Sequence, residues 1–119
     1  MSRPGWEHHE KDIQELLGLD STICSGNKHY DPGDAVDNRH PRETLFPLVA
    51  DCKYTDHVSK SIRLAELQQW SRKAQEFGKR FIMPIRFWPR GQQGPHDYVL
   101  LSLDDFAELL SLIPEDDHG

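Results

Sequence analysis

The residue pattern predicts one α/β domain built on a mixed sheet, and three observations predict it. Leu64, Leu67, Trp70, Ala74 and Phe77 step by three, three, four and three, which draws one apolar face on a helix. Three short apolar or β-branched runs bounded by turn residues precede that helix, and the apolar run 81–88 follows it directly. The resulting order α-β-β-β-α-β, with a β-α extension, combines antiparallel hairpins with a helical crossover, so helices flank a mixed sheet. The 119 residues suit a single domain, residues 1–113, followed by an acidic tail, 114–119.

The elements follow in order. Residues 4–17 read as a helix with Pro4 in its first turn, Gly18 as its stop, and Trp6, Ile13, Leu16 and Leu17 as its buried stripe. Residues 21–25 read as a strand running into Ser-Gly-Asn, 28–32 as a polar loop, and 34–38 as a second strand with Ala35 and Val36 as its apolar content. Residues 39–43 are a charged turn, and 45–54 the longest strand of this meander. Residues 61–77 form the second helix, stopped by Gly78. A right-handed crossover then leads to the strand 81–88. Residues 89–96 form a loop marked by Pro89, Gly91, Gly94 and Pro95, and 98–101 a last strand. Ser102 caps a helix that runs to about Leu112, with Asp104 and Asp105 favourable in its first turn.

Composition narrows the function classes. The N-terminal MSRPGWEHHEKD is polar and no apolar run approaches the ~20 residues of a membrane span, so a soluble, intracellular, cytoplasmic protein is expected. Cys24 and Cys52 lack CxxC spacing and are expected as free thiols. The seven histidines show no zinc-ligand spacing. No Gly-rich phosphate loop is present, so no nucleotide cofactor is expected. The net charge of −6 arises wholly in the last 16 residues: all 14 Lys and Arg lie in residues 1–103, with 14 of the 20 Asp and Glu. A neutral body of this kind can carry a basic face.

The chemistry concentrates around residues 25–55. In an extended strand side chains alternate, so Val49, Asp51 and Lys53 share one side. A carboxylate and an ammonium at the end of a buried strand are costly unless they pair or hold a metal. Asp34 follows a Pro-Gly turn on the neighbouring strand and can converge on Asp51, and the first helix can bring Glu7 to the same end. Such carboxylates suit Mg²⁺, which takes one or two of them plus water and substrate phosphate. Lys53 beside such a site would orient a water and offset charge on a scissile phosphate. The plain alternatives are a helix-dipole role for Glu7 and a surface salt bridge for Asp51 and Lys53.

An early helical Glu, then Asp34, then Asp51-Cys52-Lys53, on an αβββαβ order, resembles the PD-(D/E)XK nuclease superfamily with its restriction-endonuclease-like core. Ser25-Gly26-Asn27, Pro32-Gly33-Asp34, Asp51-Cys52-Lys53-Tyr54-Thr55 and Ile62-Arg63-Leu64 further resemble small Holliday-junction resolvases of archaeal and phage type, over about residues 6–87. The resemblance implies that Asp34, Asp51 and the Cys52 carbonyl bind Mg²⁺ (or Mn²⁺), that Glu7 completes or shares the site, that Lys53 is the catalytic lysine, and that Ser25 touches the scissile phosphate. The superfamily usually has Glu where this chain has Asp51. Asp37 competes with Asp34 for the first carboxylate; Asp34 is preferred because it follows the Pro-Gly turn.

The implied activity is structure-specific DNA endonuclease action at four-way junctions, by a homodimer, in recombination and repair. Lys28, His29, Arg39, His40 and Arg42, with Lys60, Arg63, Arg72 and Lys73, are the candidate phosphate contacts; each alone also reads as solvated charge. Phe46, Phe87 and Trp88 are candidates for the self-complementary patch, or for core. The alternatives are a related nuclease acting on linear, nicked or single-stranded DNA, and a non-catalytic DNA-binding module.

Overall fold

A computed structural model of the chain describes residues 5–21, 35–39 and 44–114. Its elements are α1 (Gly5–Leu17), β1 (Asp20–Ser21), β2 (Ala35–Val36), β3 (Leu48–Ala50), β4 (Lys53–Thr55), α2 (Leu64–Glu76), β5 (Arg80–Phe87), β6 (His96–Leu100) and α3 (Leu103–Leu112). The fold is α/β with a mixed sheet, as the pattern predicts. β1, β2 and β3 form the expected antiparallel meander, with Asp20 opposite Val36 and Ala35 opposite Ala50. α2 then crosses over to β5, which runs parallel to both β3 and β4. β6 pairs antiparallel on the other edge of β5.

β5 is the centre of the sheet because its sequence, RFIMPIRF, is apolar on both faces, and six consecutive residues of it are buried. Phe81, Met83 and Ile85 point to one face. There they meet Val49 and Ala74, with Leu67 and Trp70 of α2 packed alongside. Trp70 stacks on Phe81 with ring centroids 6.0 Å apart. Ile82 points to the other face with Ala50 and Leu19. Each buried Phe, Met, Ile, Leu or Val side chain among these contributes roughly 1.5–3 kcal/mol. α1 and α3 lie on this second face: Arg80 of β5 pairs with Glu108 of α3 at 2.6 Å.

The helix ends follow the predicted chemistry. Gly18 and Gly78 adopt φ of 69° and 68°, the left-handed conformation that closes a helix. The Asp105 amide donates to Ser102 Oγ at 3.0 Å, capping α3. Several boundaries differ from the sequence pattern. α2 starts at Leu64, not 61, because Arg63 is extended at φ −100°, ψ 136°. β6 starts at His96, since its pairing with Phe87 continues the β5 ladder outward. On α1, Leu16 is 78% exposed, whereas His9 is 1% exposed. The polar ring enters the buried stripe because its Nε2–H donates to the Pro84 carbonyl at 3.2 Å. Residues 45–54 do not form one strand. β3 and β4 are two segments of one line, meeting β5 at the same sequence offset, Leu48 against Arg80 and Lys53 against Ile85, and broken at Asp51 and Cys52. The part of the first predicted strand beyond Ser21, and the acidic tail beyond residue 114, lie outside the described residues.

Candidate active site at a broken strand

Asp51 begins the break. Its N–H still donates to the Ile82 carbonyl at 3.1 Å, so its backbone enters the ladder on that side. Val49, two residues earlier, faces the α2 core, and the strand alternation carries Asp51 and Lys53 to that same face. The side chains meet there. Lys53 Nζ lies 3.1 Å from Asp51 Oδ2, and Asp51 is 8% exposed. The spacing read from sequence therefore places these two groups together.

A third group joins them that sequence spacing did not find. Glu66, in the first turn of α2, accepts a hydrogen bond from Lys53 Nζ at 2.7 Å. Its position also complements the helix dipole. The available signal was its place one residue before Leu67, the core-facing start of the α2 stripe, which turns Glu66 toward the flank of the sheet. Burial works to discharge the Lys53 ammonium, but its bonds to Glu66 and Asp51, with their charges, outweigh this and hold its pKa above the ordinary lysine value. Lys53 is therefore a fixed positive charge and hydrogen-bond donor rather than a neutral amine able to take a proton.

The remaining predicted residues distribute as follows. Glu7 lies on α1, which packs on the opposite face of the sheet, and among the described residues it has no ion pair. α1 does reach the neighbourhood of the break: a Cβ on Gly5 would overlap the tip of the Tyr54 ring. Cys52 is half-buried. Asp34, Ser25, Lys28, His29, His40, Arg42 and Cys24 lie outside the described residues. Ala35, the neighbour of Asp34 in sequence, pairs with Ala50, the neighbour of Asp51. Asp37 sits toward the far end of that ladder, its amide bonded to the Leu48 carbonyl at 2.8 Å. It is 1% exposed and holds Arg39 through contacts of 2.8 and 2.6 Å. The Arg39 bonds keep the Asp37 carboxyl below the usual carboxylate range. Arg39, a predicted phosphate contact, is thus engaged by a carboxylate of its own chain. Lys60, Arg63 and Arg72 are exposed. Lys73 lies over the Trp70 ring, 5.2 Å from its centroid. Phe46 carries the Arg80 guanidinium at 5.8 Å, Phe87 packs on the core, and Trp88 is 40% exposed.

A second polar cluster occupies the α1 face. Arg86, 6% exposed, binds Asp97 at 2.7 and 2.8 Å and Asp12 at 2.8 Å. These bonds raise the guanidinium pKa and lower that of Asp97. His9 lies in the same layer. Because a carbonyl can only accept, its bond to Pro84 fixes the Nε2–H tautomer, and Nδ1 is buried without a hydrogen-bond partner. Burial lowers the His9 pKa.

Among the described residues no three His, Cys, Asp or Glu side chains are grouped closely enough to cage a metal ion. Asp51 and Glu66 remain as two hard oxygen donors around one ammonium. Among the described residues no helix is long and apolar enough to cross a membrane. No protein-family model, curated protein or solved structure matches the chain.

Proposed function

We propose that this chain is a Mg²⁺-dependent DNA endonuclease of the PD-(D/E)XK type, acting as a homodimer on four-way junctions. The observation that carries the reading is the Asp51–Lys53 pair, held on one face at a strand break with Nζ 3.1 Å from Oδ2. The donor chemistry fits a hard cation. Mg²⁺ needs only one or two protein carboxylates when water and phosphate complete its shell, and Asp51 with Glu66 or Asp34 supplies that number. When bound, the ion would lower the pKa of its water and neutralise charge on the phosphoryl oxygens.

The residues of the chain divide the remaining work. Asp51 fixes the acidic end of the site, held in place by its ladder bond to Ile82. Lys53 stays protonated, so it orients a water by donating a hydrogen bond and offsets negative charge as it develops on the phosphate. Glu66 keeps the ammonium from swinging into solvent. Exposed Lys60 and Arg63, in the segment leading into α2, are placed to follow the phosphate backbone.

The deciding experiment is cleavage of end-labelled four-way junction, linear duplex and single strand, with Mg²⁺ or EDTA, by wild type and Asp51→Ala. Paired symmetrical cuts in the junction alone, lost with EDTA and with the substitution, are expected. Cutting of all three substrates would retain the nuclease and remove the junction preference. Junction binding without any cutting would leave a DNA-binding module.

A further inference from the structure

α3 reverses the usual arrangement of a surface helix. A helix lying on a sheet ordinarily hides its apolar stripe and shows its charges to water. Here Asp105 and Glu108 face inward and reach Arg80 at 3.7 and 2.6 Å. Leu103, Phe106, Ala107 and Leu110 are all exposed, and Leu103 is 80% so. At 100° per residue these four share the side of the helix opposite Asp105 and Glu108. No residue of α3 is buried. The apolar surface continues past the helix. Tyr98 and Val99 of β6 are exposed and line one groove with Leu103 and Phe106, and Ile113 is exposed at the end of α3. A continuous apolar surface of this kind marks an interaction site.

We propose that the outward face of α3 binds a second copy of this chain, helix against antiparallel helix, about a two-fold axis. The stripe fits its own copy. Its spacing, Leu103, Phe106, Ala107 and Leu110, reads the same from either end, with its midpoint between Phe106 and Ala107. A two-fold axis there sets Leu103 level with the partner's Leu110, and Phe106 level with the partner's Ala107. The largest side chain thus shares each central layer with the smallest, which is the self-complementarity an isologous interface needs. None of the four carries a charge, so the seam itself traps no carboxylate. Antiparallel helices also set opposite dipole ends side by side. The area is sufficient: with Tyr98, Val99 and Ile113 the stripe exposes on the order of 700 Å², close to the ~800 Å² that each partner gives to a stable interface. Phe46 and Phe87, by contrast, are engaged within their own chain. The surface is argued from α3 and β6; only the use of the dimer on a four-way junction rests on the nuclease reading above.

Sedimentation equilibrium of the full chain reads the assembly directly. Wild type is expected as a dimer at micromolar concentration. Leu103→Glu and Leu110→Glu should each weaken association on the order of 10²-fold, because each places two carboxylates in an apolar seam. Both positions are exposed in the single chain, so far-UV circular dichroism should be unchanged. An independent measurement places Ala107→Cys in a chain carrying Cys24→Ser and Cys52→Ser. Oxidation should cross-link it as a dimer, since the axis brings the two copies of position 107 together. A wild type that stays monomeric up to near-millimolar concentration overturns the proposal. So does a dimer that neither Glu substitution weakens, or an assembly larger than a dimer. If the Glu variants fail to fold, the cross-link decides, and its absence overturns the proposal. A dimer that cuts no DNA removes the nuclease reading and leaves the interface; junction cutting by a monomer removes the interface and leaves the nuclease.

Discussion

Glu66 lies closer to the Lys53 ammonium than Asp51 does, 2.7 Å against 3.1 Å, although Asp51 is the neighbour in sequence. The helix therefore supplies the shorter anchor and the strand the second. α2 thus takes part in the site as well as covering the core.

Glu66→Gln removes a charge-assisted bond while keeping the shape of the side chain. Cleavage by the variant should fall about tenfold or more, the usual effect of losing such a bond to a charged group. Stability should change by less than about 1 kcal/mol, since Lys53 and Glu66 are both partly exposed and solvent screens the pair. Single-turnover cleavage and a urea melt read the two quantities separately.

Lys53→Met removes the charge that faces the buried Asp51 carboxylate. The expected outcome is loss of cleavage on the order of 10²–10³-fold, as for removal of a transition-state donor. Mg²⁺ binding should persist, because the oxygen donors remain. Titration calorimetry on this variant beside Asp51→Ala tests the division: the first should bind the ion and the second should not.

Asp97→Asn leaves the Arg86 guanidinium, 6% exposed, with Asp12 as its charged partner. A loss of about 1–2 kcal/mol is expected, less than for a fully buried pair because Asp97 is itself half-exposed. Arg86 lowers the folded-state pKa of Asp97 below 3.8. That stabilisation is present above the unfolded carboxylate pKa and disappears as pH falls through the folded value. The variant should therefore show a flatter stability curve below about pH 4 than wild type, measured by urea midpoint against pH.

His9 gives a second pH window. Burial depresses its folded pKa below 6.5, so near and below that value the unfolded chain binds the proton more readily. Wild type should lose stability as pH falls from 7.5 to 5. His9→Leu should be destabilised at pH 7.5 by loss of the bond to Pro84, yet vary less over that range. A midpoint series at four or five pH values would show whether the slope follows the ring.

Local pattern made most of the architecture legible. The Leu67, Trp70 and Ala74 spacing marks the α2 face that packs on the sheet, the glycines at 18 and 78 mark two helix ends, and alternation places Asp51 and Lys53 together. What the pattern did not reveal depends on partners distant in sequence. Leu45 to Tyr54 reads as one strand, yet β3 begins only after Pro47, and nothing within the segment marks the gap at Asp51 and Cys52. Glu66 becomes part of the site only once the start of α2 is fixed at Leu64. His9 occupies a buried position that apolarity alone assigns to its neighbours, and only the distant carbonyl of Pro84 explains it. Asp34 and Ser25 rest on the sequence reading alone.

The position of β5 also bears on synthesis. β3, β4 and β6 all pair with it, and it spans residues 80–87, in the last third of the chain. A nascent chain that has reached Gly78 carries α1, the meander and α2, but not the strand that joins them. The hydrophobic face of α2 and the inner edge of β3 then have nothing to close against. Folding of this domain during translation is held back until β5 is available, and until then the growing chain keeps these apolar surfaces open.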